Sequence, residues 1–252
     1  MSEVFLKHGS APASAAAESA GLRWLREGSA AVVDVLDLDR AANTLVIEKV
    51  SHARPTHEAA RQAGRELAKI HACGAAAFGA PPDGWDGPNF IGRIEQECRP
   101  TRRWAEFYAH QRVLPFAERA RDAGNLSRAG WEAVRAACKA LEDEDEDAPL
   151  ARIHGDLWSG NLLFSPEGPR FIDPAAHGGH PLTDIAMLEL FGAPHFDAIV
   201  EGYLEDGELG ENWQARIPIH QLHPLAVHAF THGPGYGGAL VRAAEQTLEA
   251  VG

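Results

Sequence analysis

Apolar residues fall in short extended runs up to about residue 50 and at helical spacing after it. Val4-Phe5-Leu6 reads as a brief strand ending at Lys7, and residues 13–27 keep a helical period until Gly28 stops it. Residues 32–38 and 44–50 are β-rich, with Asp39-Arg40-Ala41-Ala42-Asn43 as the turn between them. From Pro55 the pattern predicts helices over residues 56–72, 102–123, 127–141, 181–191, 196–204, 213–232 and 236–250. Only residues 162–164 and 170–172 look extended in that part, and the Gly- and Pro-rich stretch 74–88 reads as a loop. A β-rich front and a helical rear predict an α+β chain of two lobes, residues 1–50 and 51–252, with a cleft between them.

The densest polar chemistry lies in residues 152–164, where His154-Gly155-Asp156-Leu157-Trp158-Ser159-Gly160-Asn161 runs into Leu162-Leu163-Phe164. Asp156 precedes Asn161 by five positions, and Asp173 ends the apolar piece of residues 170–173. A D-x-x-x-x-N spacing followed by an Asp at a strand end is the arrangement of kinase-like catalytic loops. The chemistry needs one carboxylate to hold and deprotonate an attacking hydroxyl. It also needs an Asn and a second Asp whose oxygens hold Mg2+ against nucleotide phosphates. Asp and Asn are also common in turns, where they bond nearby backbone. Here the His-Gly lead, the apolar exit and the return through Pro166-Glu167-Gly168-Pro169 to Asp173 coincide, which points to an enzyme that phosphorylates an alcohol.

Charge narrows the partners. The chain has 252 residues and a formal net charge of −13, which speaks against a nucleic-acid or anionic-membrane surface. A phosphate-binding site here must make its own positive field, from Lys7, a helix N-terminus or bound Mg2+. Cys73, Cys98 and Cys138 lack the spacing of a zinc site and read as packed or idle thiols. No signal-peptide core follows Met1, and no apolar run approaches the ~20 residues that cross a bilayer, so a reduced cytoplasmic location is expected. Residues 142–147 are six consecutive carboxylates, read as a solvated connection. His220, His223, His228 and His232 sit at helical spacings but have no carboxylate or Cys to complete a metal site.

The chain resembles the fructosamine kinases, or ketosamine-3-kinases, of the aminoglycoside-phosphotransferase-like branch of the protein-kinase fold. The resemblance rests on residues 154–161, Ile172-Asp173-Pro174-Ala175, Gly178-Gly179-His180 and residues 184–192, with further support from Asn89-Phe90-Ile91-Gly92, Trp104-Ala105-Glu106-Phe107-Tyr108 and residues 216–222. It implies a protein-kinase-like two-lobe fold that uses ATP and Mg2+ to phosphorylate the 3-hydroxyl of a ketosamine, such as a ribulosamine or fructosamine adduct. The 3-phosphate would then decompose and release the amine, a deglycation repair. Asp156 would orient and deprotonate the hydroxyl, Asn161 and Asp173 would hold Mg2+, and Lys7, paired with Glu18, would reach the donor phosphates. Residues 48–50, from Glu48 to Val50, resemble the hinge whose backbone binds adenine. Trp158 would offer the sugar an apolar face. Asp184 and His154 would brace the catalytic loop from behind.

Against that pattern the Lys-bearing strand starts at Val4, so two strands and a glycine-bearing phosphate loop, roughly thirty residues on usual strand and hairpin lengths, are expected to be absent from a shortened small lobe. Two other functions stay open on the sequence. One is a kinase for another small alcohol, such as an aminoglycoside or choline-like compound; the other is a shortened, non-catalytic kinase-like protein. The oligomeric state is not legible.

Overall fold

The computed structural model describes residues 3–144 and 147–251. In chain order the first elements are β1 (Val4–His8), α1 (Ser14–Arg26), β2 (Val35–Asp39), β3 (Thr44–Glu48) and α2 (His57–Ala72). Next come β4 (Asn89–Ile91), β5 (Ile94–Gln96), α3 (Trp104–Phe107), a π-helical segment over Tyr108–Val113, α4 (Leu114–Asp122) and α5 (Arg128–Asp143). Four short strands follow: β6 (Ala151–Ile153), β7 (Leu162–Ser165), β8 (Gly168–Phe171) and β9 (His177–Gly179). Helices α6 (Leu182–Leu190), α7 (Phe196–Asp206), α8 (Trp213–His232) and α9 (Pro234–Val251) end the series. Two compact units result, Met1–Pro100 with Leu150–Leu209 and Thr101–Pro149 with Gly210–Gly252, a division drawn elsewhere than at residue 50.

In the first unit an antiparallel sheet of order β1-β3-β2 carries α1 on one face. The central strand β3 buries Leu45 and Ile47, and α1 buries Leu22, Trp24 and Leu25, so apolar burial joins helix to sheet. Residues 32–38 do not form the single strand that their β-branched side chains predict. The Val33 N–H donates to the Phe171 carbonyl at 3.1 Å and the Phe171 N–H to the Ala31 carbonyl at 2.9 Å, so β8 claims this backbone and β2 starts at Val35. The small sheet is thereby tied to the β7–β8 hairpin. Strands β4, β5, β6 and β9 have three residues each, too short to leave a period of two in the sequence.

Helices α2 and α7 meet backbone to backbone. A Cβ on Gly64 would lie 1.9 Å from the Ile199 carbonyl oxygen, and one on Gly202 would lie 1.8 Å from that of Arg61. From this joint His71 of α2 reaches both ways. Its Nδ1 is 2.9 Å from the Tyr203 hydroxyl on α7, and its Nε2 is 3.0 Å from Asp184 Oδ2 on α6. Asp184 is wholly buried and also accepts the backbone N–H groups of His154, at 2.7 Å, and Gly155, at 2.9 Å. Burial pushes its carboxyl up. The bond and charge of His71, with help from His154 and the Gly155 N–H, more than reverse that and hold it below its ordinary range.

In the second unit α8 and α9 pack together, with α5 against α9 and α4 against α8. Ser127 caps α5 by accepting the Gly130 N–H at 3.0 Å. The predicted helix over 102–123 is instead α3, the π-helical segment and α4. Tyr108, first residue of that segment, inserts its hydroxyl into the ladder of α8. It donates to the Ile219 carbonyl at 2.9 Å and accepts the His223 N–H at 3.1 Å, beside Pro224, which has no N–H to give. Of the run over residues 142–147, Asp145 and Glu146 lie outside the described residues, while Glu144 receives both guanidinium nitrogens of Arg216 at 3.1 and 3.0 Å.

Gly64→Ala should lower the unfolding free energy by about 1–3 kcal/mol through overpacking of the α2–α7 joint; an unchanged urea midpoint would show that the helices separate freely. Tyr108→Phe should cost about 1–3 kcal/mol by leaving two buried backbone groups unmade. Asp184→Ala should cost about 3–5 kcal/mol near neutral pH. Because the folded carboxyl lies below its ordinary value of 3.8, the contribution of its charge is complete above that pH and lost as pH falls through the lower folded value. The gap between wild type and variant should therefore narrow on acidification below 3.8; a gap constant with pH would show that the charge contributes nothing.

Candidate active site

Lys7, Glu18, Asp156, Trp158, Asn161 and Asp173 line one cavity of about 330 Å³ in the first unit. Strand β1 carries Lys7 and α1 carries Glu18, and the Lys7 Nζ lies 2.8 Å from both Glu18 Oε2 and Asp173 Oδ2. Burial lowers the proton affinity of Lys7, but the two carboxylates outweigh it and raise it above the ordinary lysine value. Glu18 is raised to about 7, by burial first and by the charge of Asp173, against the pull of Lys7.

The candidate catalytic loop runs between β6 and β7. Gly155 opens it with φ +78, where a Cβ would sit 2.5 Å from the Ala175 carbonyl oxygen, so both conformation and space require glycine. Behind it the His154 Nε2 donates to the Ile172 carbonyl at 2.8 Å while its Nδ1 accepts the Asp156 N–H at 3.3 Å, the pattern of a neutral ring. Burial agrees by lowering the His154 proton affinity. Asp156 is pushed up to about 8, by burial and then by the charges of Asp173 and Asp184, with Asn161 and Lys7 opposing.

Asn161 stitches the loop to its return strand. Its Nδ2 donates to the Asp156 carbonyl at 2.8 Å and lies 3.4 Å from both Asp156 Oδ2 and the Asp173 carbonyl. With the amide nitrogen so committed, the free group of Asn161 is its carbonyl Oδ1. Asp173 holds a left-handed φ of +56, uncommon for a residue with a Cβ, and its carboxylate faces the cavity. These donors are all oxygen, which fits Mg2+ and leaves other coordination positions to water and phosphate. No group of three or more His, Cys, Asp or Glu poised for a metal occurs among the described residues.

Trp158 is 43% exposed and folds back over Gly160, where a Cβ would meet its ring at 2.3 Å. Glu48 and Val50 do not line the cavity. The Glu48 N–H donates to the Asp34 carbonyl at 3.1 Å, and its carboxylate lies 3.4 Å from Arg170 Nε on β8. His154 and Asp184 stand behind the loop rather than on its lining. The β4–β5 hairpin brings Asn89 and Arg93 to the cavity, residues to which the sequence reading gave no role. Asn89 opens the stretch of residues 89–92 that carries the resemblance, and Arg93 directly follows it.

The comparisons with known proteins point to one family. Residues 1–250 match the model of the fructosamine kinase family. A probable ketoamine kinase of Synechocystis is 32% identical over 207 residues, 81% of this chain and 66% of that protein, so the match spans just under two thirds of the relative's length. Among solved structures, a fructosamine-3-kinase candidate from Thermobifida fusca superposes with a TM-score of 0.91 at 40% identity, over 98% of this chain and 86% of that one. An aminoglycoside phosphotransferase solved with ADP and hygromycin B is similar in fold alone, with a TM-score of 0.58 at 15% identity over 93% of this chain and 82% of that one. The fold is thus protein-kinase-like and α+β. No helix among the described residues is long and apolar enough to cross a membrane. On the family match over nearly its whole length, with the Asp156, Asn161 and Asp173 constellation in one cavity, this chain belongs to the fructosamine kinase family.

Proposed function

We propose that the chain is an ATP- and Mg2+-dependent kinase that phosphorylates the 3-hydroxyl of ketosamines, ribulosamine or fructosamine adducts of a protein lysine or a free amine, as a step of deglycation. The observation that carries this reading is the convergence of Asp156, Asn161, Asp173 and Lys7 on one cavity. Asp156 accepts the proton of the sugar hydroxyl as its oxygen bonds to the terminal phosphorus of ATP and the bond to the departing ADP oxygen breaks. Asn161 Oδ1 and the Asp173 carboxylate hold Mg2+, which supplies positive charge against the phosphate oxygens and the crowded carboxylates. Lys7, kept in place by Glu18, neutralises donor phosphate charge. The exposed Trp158 ring gives the apolar face of the sugar a surface to rest on. The segment from Glu48, the last residue of β3, to Val50 meets adenine through the backbone groups left over once the Glu48 and Lys49 N–H groups have donated to the Asp34 and Glu3 carbonyls, outside the cavity that takes the phosphates and sugar. A cytoplasmic setting suits this chemistry.

The test is transfer of labelled terminal phosphate from MgATP to ribuloselysine and fructoselysine, with the product's phosphate position read by NMR. A 3-phosphate is expected, and Asp156→Asn should reduce turnover by about 10²–10⁴-fold with little change in thermal stability. Undiminished turnover in that variant would remove Asp156 from the chemistry. Phosphorylation of an amino-sugar or choline-like alcohol in place of ketosamines would overturn the substrate assignment.

A further inference from the structure

The β4–β5 hairpin belongs to none of the roles above, yet it is fixed to both sides of the cavity. Its strands pair from Asn89↔Gln96 to Ile91↔Ile94, leaving Gly92 and Arg93 at the tip. The Ser10 hydroxyl, just beyond the Lys7 strand, donates to the Gly92 carbonyl at 3.2 Å. On the other side the Asn89 amide donates to the Ala176 carbonyl at 3.1 Å, in the segment after Asp173, and Gln96 holds the Asn89 Oδ1 at 2.7 Å. Gly92 takes the left-handed φ of +59 that the tight tip requires. Arg93 therefore joins the cavity lining from an anchored base.

The charge around it gives that side chain a task. Three carboxylates, Glu18, Asp156 and Asp173, line the cavity against two cations, Lys7 and Arg93. Lys7 is already shared between Glu18 and Asp173 at 2.8 Å each. Arg93 is exposed and makes no ion pair within 4.0 Å among the described residues, so it is the lining cation with its charge uncommitted. A phosphoryl donor carries several negative charges into a chain whose own net charge is −13. A guanidinium presents paired N–H donors that match two phosphate oxygens at once, which a shared ammonium cannot do.

We infer that Arg93, held on the β4–β5 hairpin, is a positioning residue that grips the terminal phosphoryl group of the nucleotide donor. The inference rests on the nucleotide-binding part of the proposed function and deepens it.

The experiment titrates the full chain, as wild type, Arg93→Ala and Arg93→Lys, with MgATP and with MgADP by calorimetry. Far-UV circular dichroism and thermal melts check that the variants fold. Arg93→Ala should weaken MgATP by about tenfold to a hundredfold and leave MgADP within about twofold, since only ATP carries the group that Arg93 holds. Arg93→Lys should fall between, keeping charge without the fork. Turnover is measured with one ketosamine that bears a carboxylate and one that lacks it, and kcat should fall with both. Equal losses for the two nucleotides, no loss for either, or a rise confined to KM of the carboxylate-bearing ketosamine would each overturn the inference. The titrations need no acceptor, so a wild-type chain that binds nucleotide but phosphorylates no ketosamine defeats the substrate reading while the two nucleotide affinities still decide Arg93.

Discussion

The arrangement around the loop between β6 and β7 depends on one buried carboxylate. Asp184 takes hydrogen bonds from the His71 ring and from two successive backbone N–H groups, those of His154 and Gly155. Three donors satisfy a charge that burial alone would expel. The backbone at residues 154 and 155 cannot turn without stripping it of them, and Asp156 is the next residue. The stitching then spreads outward, since His154 holds the Ile172 carbonyl, the Ile172 N–H donates to the Asn161 carbonyl, and the Asn161 amide returns to Asp156. The side chains that face the cavity are the outer layer of a hydrogen-bonded network whose centre faces no solvent.

Crowding of like charge is the second constraint on the site. Asp156 and Glu18 are both raised, and in each case burial acts first and the charge of Asp173 adds to it. Lys7 offsets part of this by sitting between Glu18 and Asp173, so its position encodes a balance rather than a single pair. A site left in this condition favours an incoming cation and resists an incoming phosphate. Under the proposed function, that asymmetry would make the divalent ion and the donor companions rather than independent ligands.

Much of this was legible because the chemistry is contiguous. Asp156 and Asn161 lie on one loop, and Asp173 follows after a single hairpin, so spacing alone brought them together. Long helices were legible for a similar reason, since α2 and α5 repeat their apolar period over several turns. What escaped depends on contacts remote in sequence. His71 meets Asp184 across 113 positions, and Ser10 meets Gly92 across 82. Val32 and Val33 look like strand and do pair, but their partner is Phe171 rather than the neighbouring hairpin. Tyr108 opens the π-helical segment and places its hydroxyl in another helix, a contact that no local propensity records. Glu48 and Val50 were expected on the adenine side from family resemblance alone, and the cavity lining does not include them.

The glycine joint between α2 and α7 has a mechanical consequence. Where two helices pack through side chains, thermal motion and pressure are absorbed by rotamer changes at the seam. Gly64 and Gly202 leave no side chains to rearrange at their crossing, so its spacing is set by contact between backbone atoms, which hardly compress. His71 and Tyr203 ride on these two helices and meet beside Asp184. The donor that reaches the buried carboxylate is thus mounted on a stiff frame, and any flexibility in the catalytic loop must arise on its solvent side.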